Sequence, residues 1–548
     1  MCVNAPVFIR ELELTEPVED LELPPRPDGT AYQGARLLVR LQRAPVGEVQ
    51  LPPDRLSAEA IVNAIWKDLS GSINALRAEV SLPPLALLTT RGVAAVDALS
   101  HGSHDFKNQQ GLNAGGAKCK GTPSPPKLTA PVTVAEIELT SPDAVRYISI
   151  AEAEPDEVRQ ALVLVRAGGR PLTTIAVDAP GGRVDAESCA AQAHAALAAA
   201  GDLPEPVSAA LSGLPAVDSS PGAVQYPQIS VVIATRERPQ LLARCLRSLA
   251  ELDYPDYEVI VVDNAPLTDD TVQLIRQWTE LSVRYVREDR RGLAAAHNRG
   301  LLEAHGAIVA FTDDDVIVDK CWLREIVGAF RAADDVACVT GLIMPAELQT
   351  QPQVILEAQG NFGKGFRQRV VDLGTHRPAD PLFPFTAGKL GSGANMSFDR
   401  DKLRAVGGFD PATGVGTAAR GGDDLSAFFT VIAAGFQLVY QPTALVWHHH
   451  RRDFDSMVGQ AHGYGVGLGA YLMSAVWRHP ALLGSALRRA PAALAYAFGP
   501  SSPRTANASG SGWPRKLIWL ERRGLLLGPF AYVRSRWNTR NEPHLFKN

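Results

Sequence analysis

The chain has 548 residues, 46% of them hydrophobic and 21% charged, with a net charge of −5 and a pI near 6.2. That length exceeds one ordinary hydrophobic core, and the slight acid excess provides no global basic field, so a nucleic-acid partner is not expected. Six scattered cysteines form no CxxC pair, the N-terminus is acidic, and no run of about 20 apolar residues occurs; the expectation is a cytoplasmic protein without structural zinc or a spanning helix.

In chain order, the first feature is an internal similarity. "LVRLQRAPVGEVQLPPDRLSAEAIVNAIWKDL" from Leu38 and "LVRAGGRPLTTIAVDAPGGRVDAESCAAQAHAAL" from Leu164 align Arg40 with Arg166 and Pro45 with Pro171, and a two-residue insertion then aligns Arg55 with Arg183. Each reads as strand, turn, strand, helix. Two copies of one small α/β unit are therefore expected, over 1–100 and 131–220, offering acceptor recognition or self-association as a homo-oligomer. Between them 101–130, rich in Gly, Ser, Pro and Lys, reads as a flexible linker.

From Ile229 the pattern changes to alternating buried strands and amphipathic helices. "ISVVIAT", "YEVIVVDN", "VRYVRE" and "AIVAFTDDD" are separated by helical segments, which predicts a doubly wound, mainly parallel α/β sheet. Ligands of such sheets gather at the carboxyl ends of the strands. Thr235, Asp263 and the acidic run Asp313, Asp314 and Asp315 fall at those ends.

Three adjacent carboxylates repel one another and call for a partner. In extended backbone Asp313 and Asp315 face one way and Asp314 the other. Two oxygen ligands on one side suit Mg2+ or Mn2+, which bind through one or two carboxylates together with substrate phosphates. No GxGxxG follows the first strand of this region and no P-loop motif occurs in the chain, so phosphate binding falls to a metal.

Five stretches, "SVVIATRERPQLLARCLRSL", "YEVIVVDNAP", "GLAAAHNRGLLEAHGAIVAFTDDDV", "GSGANMSFDRDKLRAVGGFD" and "GGDDLSAFFTVIAAGFQLVYQPTALVWHH", together resemble the family 2 glycosyltransferases of the GT-A fold, with 227–453 as the domain. The resemblance implies inverting transfer of a sugar from a nucleotide-diphosphate donor, a UDP-sugar, to a hydroxyl on a glycan or lipid-linked saccharide. It implies that Asp263, Thr235, Arg236 and Glu237 line the nucleotide pocket, that Arg291 and Asn298 face ribose or diphosphate, and that Asp424 is the base with Asp423 its supporting neighbour. Arg236 stands where the family often has an aromatic residue. His448, at a strand end, matches a third metal ligand of some members, and Arg451 and Arg452 are candidates to counter the diphosphate.

Plainer readings exist for several of these residues: Asp263 as a turn residue, Asp423 and Asp424 as a helix cap, His448 as a structural histidine. "GSGANMS", Gly391–Ser397, reads as a loop that lets backbone approach a sugar. A nucleotidyltransferase, which also uses paired aspartates and a metal, and a non-catalytic sugar-nucleotide or glycan binder are the rival classes.

After Asp453, residues 454–548 interleave Leu, Trp and Tyr with Arg and Lys. This is the composition either of helices lying in a membrane interface, at the inner face of the plasma membrane, or of helices packed on the preceding domain. Pro480, Pro491 and Pro500 are expected to divide the region into short segments.

Overall fold

The structure is a computed structural model. It describes residues 8–14, 18, 20–21, 35–41, 44–53, 56–79, 128–140, 145–151, 158–199, 226–333, 335–359, 362–498, 514–540 and 545–546. The chain divides into two compact units, Met1–Cys119 and Lys120–Asn548. Residues 101–127 of the expected linker lie outside the described residues.

In the first unit β1 (Phe8–Glu13) pairs in parallel with β2 (Ala35–Leu41), which turns antiparallel into β3 (Ala44–Leu51). Alternate residues Leu37 and Val39 of β2 and Val49 and Leu51 of β3 meet Ile61, Val62 and Ile65 of α1 (Ala58–Glu79) in one core. Strand period two against helix period 3.6 explains which positions are inside.

The second unit begins with the same pattern. β4 (Val132–Glu138) lies between β5 (Val145–Ser149) and β6 (Gln160–Ala167), and β6 turns into β7 (Arg170–Asp178), followed by α2 (Ala186–Ala199). Both hairpins carry a register shift at the same place, between Val39 and Arg40 opposite Pro45 and between Val165 and Arg166 opposite Pro171. Proline cannot donate to the ladder and is at home at such a bulge.

The expected boundary at residue 220 does not separate two compact units: the second repeat is packed on the main sheet domain. Val132 N–H donates to the Leu348 carbonyl at 2.9 Å, and Val134, Leu162 and Leu164 share a core with Leu342, Leu445 and Trp447. Bulged Arg166 completes the joint, donating from Nη1 to Asp319 Oδ2 at 2.6 Å and to Glu136 Oε2 at 3.1 Å, all three side chains being 10% exposed or less. Replacing Arg166 by Met leaves buried Asp319 without its cation, while Glu136 keeps Arg146 at 2.8 Å, and a loss of about 3 kcal/mol is expected. A urea titration of full-length protein checks this; an unshifted midpoint would mean the pair carries no net stability.

The main sheet has nine strands among the described residues, in the order β10-β9-β8-β11-β15-β13-β16-β12 with β14 also on β16. Its first half is β8 (Ile229–Thr235), α3 (Pro239–Ala250), β9 (Tyr257–Asn264), α4 (Asp270–Gln277), β10 (Val283–Glu288), α5 (Leu293–Glu303) and β11 (Ile308–Asp313). These four strands are parallel, and every residue of β8 is buried, as its β-branched run requires. Chain order reverses beside β8, leaving the crevice where ligands of such sheets bind.

The second half comprises β12 (Val316–Val318), α6 (Trp322–Arg331), β13 (Val336–Pro345), α7 (Gln351–Ala358), β14 (Arg369–Val371), β15 (Asn395–Asp399), α8 (Arg400–Ala405), α9 (Asp423–Ala433) and β16 (Gln437–His448). β15 runs antiparallel between β11 and β13, and β12 and β14 run antiparallel to β16, so antiparallel strands complete the expected doubly wound, parallel-rich sheet, in which β13 and β16 also pair in parallel. Pro442 sits where the β13–β16 register shifts, which is how a proline fits within this long strand.

The C-terminal region forms α10 (Phe454–Arg478), α11 (Leu483–Phe498) and α12 (Arg515–Asn538). Pro480 opens a short turn between α10 and α11 as expected, but Pro491 lies inside α11 without ending it. A proline removes one backbone donor, and the helix is continuous on both sides of it. Pro500 lies outside the described residues. Asp410 ties two of these helices to the sheet domain, accepting from Ser474 Oγ at 2.5 Å and Tyr532 Oη at 2.9 Å.

Candidate functional site

A cavity of about 980 Å3 opens at the carboxyl edge of the main sheet. Thr235, Arg236, Asp313, Asp314, Asp315, Arg291, Asp423, Asp424 and His448 all line it, so most residues singled out in the sequence converge there.

Register explains one half of the site. β12 pairs with β16 so that Val316 stands opposite His448, and His449 N–H donates to the Asp315 carbonyl at 2.9 Å. This brings a strand end from residue 448 against the acidic run. His448 Nε2 lies 3.2 Å from Asp315 Oδ1, and ligand atoms of Asp313, Asp315 and His448 lie within 4.8 Å of one another.

Asp314 points elsewhere, set by the turn that Asp314 and Asp315 form between β11 and β12 rather than by the strand alternation expected: it accepts from Thr235 Oγ1 at 2.7 Å and from Arg238 Nη1 at 3.0 Å. Arg238 also reaches Asp315 Oδ2 at 3.2 Å. Enclosure and then the Asp315 charge push Asp313 up to about 7 and Asp314 up to about 6. Burial alone would raise Asp315 too, but His448 and Arg238 outweigh it and hold that carboxyl well below the usual range. Burial opposes protonation of His448, yet the facing Asp315 raises it.

The group fits a divalent cation. Two carboxylates that repel each other and one imidazole face a common point, and Asp315 Oδ1 is buried without a hydrogen-bond partner. Such an O,O,N set suits Mn2+ and, less readily, Mg2+.

His448 is held from behind. Its Nδ1 lies 3.2 Å from His450 Nδ1, and His450 Nε2 lies 3.1 Å from Glu357 Oε2. Phe362 stacks against His448 with ring centroids 5.2 Å apart. Glu357 fixes the orientation of the His450 ring, and His450 in turn holds His448, so the carboxylate acts on His448 through a second imidazole. Of the two arginines after the histidine run, Arg451 lines the cavity, whereas Arg452 is taken by Glu347 through two 2.7 Å bonds.

The other half is built at the start of α9. Gly422 precedes it with φ +86°, and a Cβ there would stand 2.5 Å from the Gly467 carbonyl. Only glycine makes that turn without strain. Asp424 then faces the cavity, accepting from Gly393 N–H at 3.0 Å and Leu425 N–H at 2.8 Å, and enclosure followed by the Asp423 charge raises it to about 6.

Asp423 turns inward, its Oδ2 3.3 Å from His297 Nδ1, and both side chains are nearly inaccessible. His297 was missed in the sequence. Its signal was faint, a single imidazole inside "AAAHNRG", because its partner is 126 positions away.

Three residues expected at the donor do not line the cavity. Asn298 is buried and spends its amide on Phe409, donating to the carbonyl at 2.8 Å and accepting from the N–H at 2.9 Å, which makes it a brace for the turn after α8. Glu237, at φ +56°, accepts from the Leu267 and Thr268 N–H groups and from Thr268 Oγ1, closing the loop before α4. Asp263 is paired across the sheet with Thr235 and accepts from Tyr285 Oη at 3.1 Å; its Oδ1 is buried and unpartnered. Arg238, Lys364 and Lys389 line the cavity without having been picked out.

The loop Gly391–Ser397 is only half a loop. Gly391–Ala394 line the cavity, while β15 begins at Asn395, whose amide bonds Leu342 O, Ala444 O and Trp322 Nε1.

Comparison with known proteins bears on the same segment. The family model "Glycosyl transferase family 2" matches residues 230–384. A curated relative, the pre-mycofactocin glycosyltransferase of Mycobacterium tuberculosis, is 29% identical over 248 residues, 45% of this chain and 47% of its own, so the match spans about half the length of that relative. The glucosyl-dolichyl phosphate glucuronosyltransferase of Haloferax volcanii is 25% identical over 247 residues, 42% of this chain and 73% of that one. Among solved structures, the mannosyltransferase PcManGT from Pyrobaculum calidifontis, in complex with GDP-Man and Mn2+, aligns with 59% of this chain and 90% of its own at 23% identity and a TM-score of 0.35.

Proposed function

We propose that this protein, a family 2 glycosyltransferase by its residues 230–384, transfers a sugar from a nucleotide-diphosphate donor to a hydroxyl of a glycan or lipid-linked saccharide, with inversion in a single displacement. One observation carries the reading: Asp313, Asp315 and His448 line the same cavity as Asp424. A metal-binding group and a separate carboxylate base in one space are what sugar transfer needs and nucleotidyl transfer does not.

Asp313, Asp315 and His448 hold Mn2+ or Mg2+ in this reading. When bound, the cation neutralises charge on the departing diphosphate. Cationic Arg236, Arg238, Arg291 and Arg451 line the same cavity and favour an anionic donor over a neutral sugar. Thr235 and Asp314, bonded to each other, fix the wall between nucleotide and acid cluster.

Asp424 takes the proton of the acceptor hydroxyl. It is held by two backbone N–H groups at a helix start, which aims its free lone pairs at the cavity. Asp423, its Oδ2 3.3 Å from His297 Nδ1, opens the first turn of α9, and its charge adds to enclosure in lifting Asp424.

A base lifted to about 6 is ionised above that pH and protonated below it. Release of nucleoside diphosphate from a panel of nucleotide sugars, with Mn2+ and a saccharide acceptor, is therefore expected to be level near neutrality and to fall about tenfold per unit once pH drops below about 6. Release of pyrophosphate instead would replace sugar transfer by nucleotidyl transfer.

A further inference from the structure

The exposed large apolar side chains are not spread evenly. Among the described residues, those that are well exposed lie mostly beyond residue 453, and α12 carries the densest set. Trp519, Leu526, Phe530, Val533 and Trp537 recur at spacings of seven, four, three and four, one face of a helix, with Phe530 75% and Trp537 67% exposed.

The inward face is the opposite of what a soluble helix shows. It presents Glu521, Gly524, Gly528, Tyr532 and Ser535 to α10. A Cβ on Gly528 would stand 2.5 Å from Gly469 Cα, so the two helices touch backbone to backbone. α12 thus buries glycines and polar groups along most of its inner face, with Leu517 and Tyr532 as the large side chains turned inward, and leaves a longer stripe of large apolar residues outside. Ordinary amphipathic packing against the domain does not explain that.

The charge on the helix is as one-sided. α12 carries six cations, Arg515, Lys516, Arg522, Arg523, Arg534 and Arg536, against Glu521 alone, in a chain whose net charge is −5. Arg523 lies over the Trp519 ring at 5.5 Å and Arg540 over that of Trp537 at 4.1 Å, so guanidinium groups sit at both ends of the stripe. Leu483, Leu487 and Leu494 on α11 are also exposed, beside Arg488.

We propose that the outer face of α12, with α11, docks on an anionic lipid surface. A helix with Trp, Leu and Phe on one face and Arg and Lys around it lies in the headgroup layer, apolar side chains in the acyl boundary and cations on lipid phosphate. It lies on the membrane and does not cross it, since no helix among the described residues is long and apolar enough to span. A second copy of this chain is a poor occupant. A twofold contact would set the same patch, with its exposed Arg523 and Arg534, against itself, like charge against like.

Glu521, on the other side of α12, lines the cavity, so the lipid face backs directly onto the site.

The test is vesicle co-sedimentation of full-length protein. Binding to vesicles of phosphatidylcholine with phosphatidylglycerol is expected to be at least about tenfold tighter than to phosphatidylcholine alone. A Trp519→Ser, Phe530→Ser, Trp537→Ser triple variant should weaken it at least about tenfold, and Arg523→Glu with Arg534→Glu should erase the preference for phosphatidylglycerol. Independently of any variant, brominated acyl chains should quench the tryptophan fluorescence of the unaltered protein. Absence of pelleting and quenching with both vesicle types overturns the proposal. So does a dimer in sedimentation equilibrium that the triple variant converts to monomer, which would hand the face to a second copy.

Discussion

Asp424→Asn is expected to lower turnover by about 10²–10⁴-fold while donor affinity stays within about twofold. The amide is the same size, but its single oxygen accepts from either Gly393 or Leu425 N–H, since the two bonds go to different oxygens of the carboxylate, and the start of α9 keeps its shape at the cost of one hydrogen bond. What it loses is the capacity to take a proton. Removing a charge that Asp423 already opposes also costs little stability, because the like-charge pair at the helix start is relieved. Calorimetric titration with donor and Mn2+, alongside initial rates, separates the two effects. Equal loss of binding and rate would make Asp424 a structural cap and return the site to the binding-protein reading. The acidic limb of the pH profile should vanish with the carboxylate, because residual activity no longer depends on its ionisation.

How much of this was legible in the sequence depended on whether the governing interaction was local. β8, β9 and β11 were readable because both faces of each strand are buried, and burial writes itself as an unbroken β-branched run. The alternation expected across Asp313, Asp314 and Asp315 assumed extended backbone, whereas Asp314 and Asp315 form a turn after β11, and it is the turn that parts Asp314 from the other two. The common bulge at Arg40 and Arg166 was written in the pairs Arg40–Pro45 and Arg166–Pro171.

Pairings set by distant register were not readable. His297 meets Asp423, and Arg166 meets Asp319, only because sheet order and helix placement bring them together. Nor does residue type reveal where a polar side chain spends its hydrogen bonds. Asn298 and Glu237 have the chemistry for a donor pocket, yet their groups are consumed by Phe409 and by the loop at Leu267. His450 takes its position behind His448 through Glu357, brought close by α7, a pairing 93 positions apart that no local pattern announces.

The second large effect concerns Asp315. Asp315→Ala removes the buried carboxylate that faces His448 and leaves the imidazole without its counter-charge. With one carboxylate and a more easily neutralised histidine remaining, affinity for Mn2+ is expected to fall by about 100-fold or more, and Mn2+-dependent donor binding with it. Titrating Mn2+ by electron paramagnetic resonance, without substrate, reads the site directly and does not depend on turnover. Arg238 gives the control: it touches both Asp314 and Asp315, so Arg238→Ala should weaken donor binding while leaving free Mn2+ binding unchanged or slightly tighter, since a competing cation has gone. If Asp315→Ala binds Mn2+ like the unaltered protein, Asp315 is no ligand, and its ion pairs with His448 and Arg238 serve only to fasten β12 against β16.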